Sequence, residues 1–267
     1  MSIVTATAAA PATEPILVAR GLTKKFGGFT AVEDVDFEIL PGRVTALIGP
    51  NGAGKSTVIN LLSGTLLPTA GTVALRGRRI DGSHAYEIAR LGLGRTFQTP
   101  KLFAGMTALE TTMVARERHA RTGLFGAALR LPRMRRDEAA ARQAALDWLG
   151  FVGLADAADQ IAMSMPVGHQ RLVDLARALA TEPDILLLDE PAAGLDGSET
   201  RALVDYIRQI AALGVAVLLV EHDMSMVMSI ADHIFVLEQG RKIAEGTPAE
   251  VGNDPLVIAT YLGSAHA

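Results

Sequence analysis

The 267-residue chain contains no cysteine, no apolar run of membrane-spanning length and no surplus of positive charge. Without cysteine there are no disulfides, thiolate metal sites or cysteine nucleophiles, in keeping with a reducing compartment. Mean hydropathy is positive, +0.27, yet runs such as Val215–Val220 and Ile185–Leu188 fall far short of the roughly 20 residues a membrane span needs. They have the length of strands buried on both faces of a parallel sheet. A formal net charge of −4 leaves no overall basic field to neutralise phosphates, which excludes general nucleic-acid binding. The first fifteen residues carry no Lys or Arg and are rich in Ala, Thr and Pro. Secretory leaders and mitochondrial presequences need positive charge, so residues 1–15 read as a disordered tail.

Against these absences stands one dense motif. Gly49-Pro50-Asn51-Gly52-Ala53-Gly54-Lys55-Ser56-Thr57 follows an apolar strand, Val44–Ile48, and has the spacing G-x-x-x-x-G-K-S. Successive backbone N–H groups of such a loop curl around the phosphates of a nucleotide, and glycines stand where a Cβ would block the approach. Lys55 reaches the β- and γ-phosphates, the Ser56 hydroxyl ligates Mg²⁺, and a helix over Ser56–Ser63 turns its N-terminal dipole toward the anion.

Strand and helix signals alternate along the chain, which is the pattern of an α/β protein. Ile16–Phe26 and Ala31–Ile39 read as strands joined at Gly27-Gly28. Gly71–Leu75 and Arg78–Ile80 read as a hairpin pivoting on Gly77. From about Thr99 to Ala180 strand-like runs give way to Ala-, Arg- and Leu-rich helical stretches such as Asp137–Leu149. This reads as a helical lobe inserted into the α/β core, which resumes at Asp184–Asp189 and continues through Val215–Val220 and His233–Leu237. Thr247-Pro248 and Asp254-Pro255 each place an N-cap residue before a proline, announcing two short helices, the second ending near Gly263.

A second set of polar residues matches the loop. Asp184–Glu190 is a buried strand ending in two carboxylates; beside the loop strand, Asp189 would lie near Mg²⁺ and Glu190 near a water attacking the γ-phosphate. His222 follows another apolar strand, on the side where ligands of open α/β sheets bind, and there it could meet the γ-phosphate or orient the water. Strands often end in charges and a lone histidine is often structural, so each signal draws its weight from the loop. Gln98, in Arg95-Thr96-Phe97-Gln98, has little chemical signal of its own.

Taken in order, the loop, Gln98, Ala176-Arg177-Ala178-Leu179, Leu186–Pro191, Gly194-Leu195-Asp196 and His222 resemble the ATP-binding subunits of ABC transporters, from about Ile16 to Gly263. The runs Arg95–Phe103, Met106–Glu110, Asp189–Asp196, Glu221–Met224 and the C-terminal stretch from Ile243 are similar to those of branched-chain amino acid importers. The resemblance implies a P-loop NTPase (RecA-like) core, residues 16–98 and 181–246, bearing an antiparallel β subdomain. It further implies a helical subdomain at 99–180 and C-terminal helices at 247–263. It makes Phe26 the residue stacking on adenine, Gly49–Thr57 the ATP loop and Gln98 the Mg²⁺ and γ-phosphate sensor facing the permease. Asp189 becomes the metal-side carboxylate, Glu190 the catalytic base, Asp196 a residue of the cross-dimer loop and His222 the switch histidine. The implied partners are a second ATP-binding subunit, transmembrane permease subunits and, indirectly, a periplasmic binding protein, at the cytoplasmic face of a bacterial inner membrane.

One motif departs from the family. Its signature, usually Leu-Ser-Gly-Gly-Gln, falls at Met165-Pro166-Val167-Gly168-His169. Gly168 is kept, but the serine hydroxyl aimed at the partner's γ-phosphate is replaced by Pro166. Two alternatives follow: an ordinary variant whose helix N-terminus suffices, or a weakened paired site, felt once in a heterodimer and twice in a homodimer. Arg116, Arg118, Arg121, Arg130, Arg133, Arg135 and Arg136 make a basic stretch, either a solvated face or a surface facing lipid headgroups or permease. Rival readings are the same engine on a urea, amide or lipopolysaccharide permease, a P-loop kinase or GTPase, and a non-transport ABC ATPase. No acceptor site or guanine-selecting motif supports the kinase or GTPase, and one cassette without heptads disfavours the last.

Overall fold

The computed structural model describes residues 14–116 and 132–263. The expected tail, apart from its last two residues, and Arg118, Arg121 and Arg130 of the basic stretch lie outside them.

Strands β1 (Leu17–Phe26), β2 (Phe29–Ile39), β4 (Ala70–Leu75) and β5 (Arg78–Arg79) form an antiparallel sheet in the order β2-β1-β4-β5. Its hairpins turn where glycine permits: Arg76 and Gly77 both have positive φ, the geometry of a tight two-residue hairpin. A second sheet runs β10-β9-β3-β8-β7-β6, from β3 (Val44–Ile48), β6 (Leu93–Arg95), β7 (Ile185–Asp189), β8 (Ala216–Val220), β9 (His233–Glu238) and β10 (Arg241–Gly246). All its pairings are parallel except that of the edge strand β10 with β9.

The unbroken apolar runs are explained by two-sided burial. Leu186, Leu188, Val217 and Leu219 enter one core, while Ile185, Leu187, Leu218 and Val220 enter another that also contains Phe37 and Val35 of the antiparallel sheet. The first core is closed by α3 (Ala108–Val114), α4 (Pro132–Phe151), α5 (Val167–Leu179) and α6 (Gly197–Ala212); the second by α1 (Lys55–Leu62). Short helices α2 (Ala85–Arg90), α7 (Met224–Ile230), α8 (Pro248–Gly252) and α9 (Pro255–Gly263) complete the described chain.

Most expected elements recur within two residues. The loop helix starts at Lys55, one residue early, and β2 starts at Phe29, two early. Thr247 caps α8, accepting from Glu250 N–H, with Pro248 in the first turn. Short β6, helix α2 and the charged edge strand β10 are additions, their apolar patterns being too brief or too weak to read. Among the described residues no helix is long and apolar enough to cross a membrane.

Candidate functional site

Parallel pairing aligns the C-terminal ends of four strands, and each end carries polar residues. Asp189 stands opposite Val220, Leu47 also opposite Val220, and Arg95 opposite Leu187. The chain therefore leaves the sheet on one edge at Gly49, Thr96, Glu190 and Glu221, where ligands of open α/β sheets bind.

The loop after β3 is built on positive φ at Gly49, Gly52 and Gly54. A Cβ at Gly49 would lie 2.1 Å from the Leu237 carbonyl oxygen, and one at Gly54 2.6 Å from that of Ala31. Only glycine fits both places. Gly54 is also the N-cap of α1, so no side chain caps this helix and its first-turn N–H groups are left to an external anion. Ala53 packs in the core, while Asn51 and Gly52 are exposed.

Lys55 is buried and donates to the carbonyl oxygens of Gly49 at 2.7 Å and Pro50 at 3.0 Å. Burial lowers its pKa, an effect opposed by the charges of Glu190 and Asp189. Asp189 is buried too, and desolvation raises its carboxyl pKa. Arg95 Nη2 lies 3.4 Å from its Oδ2, and Arg95 Nη1 donates to Asn60 Oδ1 and Ser63 Oγ, both at 2.8 Å. Burial also lowers the pKa of this guanidinium. Glu190 takes the left-handed conformation at φ 46°. Its N–H donates to Val220 O at 2.9 Å, its carbonyl accepts from Arg171 Nη1 at 3.2 Å, and its Oε2 accepts from Gln98 Nε2 at 2.8 Å. A non-glycine residue held in such a conformation is a frequent mark of a functional site.

The structure thus gathers Lys55, Asp189, Glu190 and Gln98 around the loop. Other expected residues stand apart from that cluster. The His222 ring is 62% exposed, and its Nδ1 lies 3.6 Å from Glu221 Oε2. Asp196 caps α6, accepting from the Ser198 and Glu199 N–H groups and the Ser198 hydroxyl, which together hold its pKa down. Phe26 is 46% exposed at the end of β1, with Lys24 Nζ 5.1 Å from its ring centroid, so it is not a core residue. Oxygen donors suit Mg²⁺, and the residues present fit it: a carboxylate at Asp189 and an exposed hydroxyl at Ser56 on the first turn of α1.

The ABC transporter family model matches residues 32–193. The chain belongs to the ATP-binding subunits of ABC transporters. A second model, branched-chain amino acid ATP-binding cassette transporter, matches residues 241–267. The chain is 44% identical over 253 residues to the high-affinity branched-chain amino acid transport ATP-binding protein LivG of Escherichia coli (strain K12), covering 94% of this chain and 99% of that one. It is 45% identical over 252 residues to the corresponding protein BraF of Pseudomonas aeruginosa, with the same coverage. Among solved structures, a nucleotide-free ATP-binding cassette from an ABC transporter superposes with a TM-score of 0.81 at 31% identity, covering 92% of this chain and 98% of that one. A dimeric bacterial ABC transporter cassette gives 0.74 at 25% identity, covering 87% and 98%.

The segment expected to carry the family signature, Met165–His169, opens helix α5. Pro166 is the N-cap of α5, at φ −52° and ψ 151°, and no side chain caps the helix. Gly168 is buried, and a Cβ there would stand 2.2 Å from Glu199 Oε1. The glycine therefore lets α5 pack against the first turn of α6, which Glu199 itself helps to cap. His169 is exposed. Sequence reasoning gave no role to Arg95, Arg171 or Glu221. The first two are ordinary charges by type, and only the fold shows that Arg95 is shielded beside the Asp189 carboxylate and that Arg171, half-buried, donates to the Glu190 carbonyl. Glu221 had one available signal: a carboxylate directly after a five-residue strand buried throughout.

Proposed function

We propose that the ATPase drives import of branched-chain amino acids through membrane permease subunits, at the cytoplasmic face of a bacterial inner membrane. Its relatives' names and the match over residues 241–267 support that cargo. The observation that carries the site is the left-handed Glu190, pinned at N–H, carbonyl and carboxylate beside the loop.

In this reading the Gly49–Thr57 backbone and Lys55 hold the phosphates of ATP, and Phe26 stacks on adenine. Ser56, Asp189 and Gln98 would hold Mg²⁺, which would supply charge neutralisation for the phosphates. Glu190 accepts the proton of the attacking water, and His222 orients the γ-phosphate side. Phosphoryl transfer needs little covalent help, so placing these groups is most of the catalysis. Two ATP-binding subunits pair head to tail, with Gly168 and Asp196 facing the opposite nucleotide. Residues 16–98 and 181–246 act as the core, 99–180 as the lobe conveying closure to the permease, and 247–263 as a C-terminal addition. A periplasmic binding protein delivers cargo on the far side.

Reconstitution with the co-purifying permease and binding protein tests this. Leucine, isoleucine or valine should stimulate ATP turnover, whereas urea, amides and lipopolysaccharide should not. Stimulation by one of the latter alone would reassign the cargo.

A further inference from the structure

Glu221 is 1% exposed, yet it is used by no part of the hydrolysis scheme above. Its Oε1 accepts from Ala192 N–H at 2.9 Å, and its Oε2 from His222 N–H at 3.1 Å. One carboxylate therefore ties the loop two residues after Glu190 to the backbone of His222. Arg171, on α5, reaches the same place from the signature helix, donating to the Glu190 carbonyl at 3.2 Å. Burial lowers the pKa of this guanidinium, an effect opposed by the charges of Glu221, Asp174 and Glu190. Arg171 and Thr96 also line one cavity of about 20 Å³. Neither Arg171 Nε nor Thr96 Oγ1 has a hydrogen-bond partner among the described residues, and such a volume takes one water.

We propose that Glu221 and Arg171 are positioning residues that act as a unit, holding Glu190 and His222 in register and tying both to the signature helix. This rests on the reading of Glu190 as the catalytic carboxylate. Glu190 would otherwise relax from its left-handed conformation, since only its neighbours over-determine it. Glu221 fixes the loop on its C-terminal side, and Arg171 fixes its carbonyl. A movement of α5, the helix whose N-terminus faces the partner's nucleotide in the proposed dimer, is thereby felt at this chain's own Glu190. Neither residue touches substrate, so loss of either should slow turnover and leave ATP binding alone.

The test compares Glu221→Gln, Arg171→Gln, Arg171→Lys and the double variant in the full chain with Mg-ATP, using Glu190→Gln as control. Glu221→Gln leaves one acceptor for two N–H groups and turns an amide N–H toward the other. Expected is a fall in kcat of about ten- to a hundredfold, the scale of a small misplacement of catalytic groups. KM and fluorescence-measured ATP affinity should stay near wild type, whereas a modest fall in melting temperature is expected wherever a buried N–H is left unpaired. The double variant should be no slower than the worse single one, and Arg171→Lys should recover part of the rate. Unchanged kcat in the single variants overturns the proposal. So does a loss of kcat matched by an equal loss of ATP affinity, or one that vanishes when turnover is measured well below each variant's melting temperature, which would indicate a purely structural role. If Glu221→Gln does not fold, the Arg171 variants decide by the same criteria. Should Glu190→Gln itself hydrolyse ATP normally, the reading of the site fails first; should it be inactive while the others are normal, only this inference fails.

Discussion

At the scale of single residues, conformation and burial decide which side chains are replaceable. Gly54 combines φ 101° with a backbone oxygen 2.6 Å from the Cβ that alanine would bring. Gly54→Ala should therefore weaken ATP binding at least tenfold, measurable by nucleotide titration, because either the loop or β2 must move. Arg95 and Asp189 face each other with only 11% of each side chain exposed. Removing one partner of such a pair leaves an uncompensated charge, and Arg95→Ala should cost about 3–5 kcal/mol in denaturant unfolding. The pH dependence follows from Asp189, whose folded pKa desolvation already raises above the ordinary 3.8, and it would rise further without Arg95. A carboxyl raised in the folded state binds its proton more readily there, so the penalty is full above the folded value. It should shrink as pH falls toward 3.8, the opposite of an acid-labile ion pair.

Helix termini carry the predictions at the scale of elements. Asp223 caps α7, accepting from the N–H groups of Ser225 and Met226, and the Ser225 hydroxyl with these N–H groups holds its pKa below the ordinary 3.8. Asp223→Ala should cost about 1 kcal/mol of stability, read as a lower denaturation midpoint. Because the folded pKa is depressed, the cap contributes fully above 3.8 and is lost as pH falls through the lower folded value. At α5 the cap is Pro166, which offers no side-chain oxygen. Pro166→Ser should add a conventional cap worth about 1 kcal/mol and change ATP turnover less than threefold, because an uncapped helix start already presents N–H groups to an anion. A tenfold gain in turnover would instead mark the native signature as a weakened site. Elements with strong periodicity or a proline after a capping residue were legible before the fold was known. Short β6 was not, since three residues carry no pattern, and its place beside β7 comes from pairing alone.

For the molecule as a whole, three apolar clusters fix the sheets, the third packing Ala46, Ile48, Ile234 and Val236 against Val227 and Val251, and the sheets fix the site. The helical segment is tied back to the α/β core by Arg116, which donates to the Ala180 carbonyl at 3.2 Å and pairs with Glu182. Arg116→Ala should raise hydrogen exchange in α3 while leaving the Gly49–Thr57 loop protected as in wild type. Hydrolysis ends the nucleotide-bound state in the proposed dimer, so Glu190→Gln with ATP should accumulate as a dimer in light scattering. A monomer under those conditions would remove head-to-tail pairing from the scheme. The sequence alone determined the phosphate loop, the buried strands and the carboxylates ending one of them, because local spacing and unbroken apolar runs encode these directly. Only the tertiary structure decided which groups Arg95, Arg171 and Glu221 meet: the Asp189 carboxylate, the Glu190 carbonyl and the Ala192 N–H. Their partners lie at 94, 19 and 29 positions' separation, and parallel strand pairing for Arg95 and Glu221, and the seating of helix α5 for Arg171, bring those positions together.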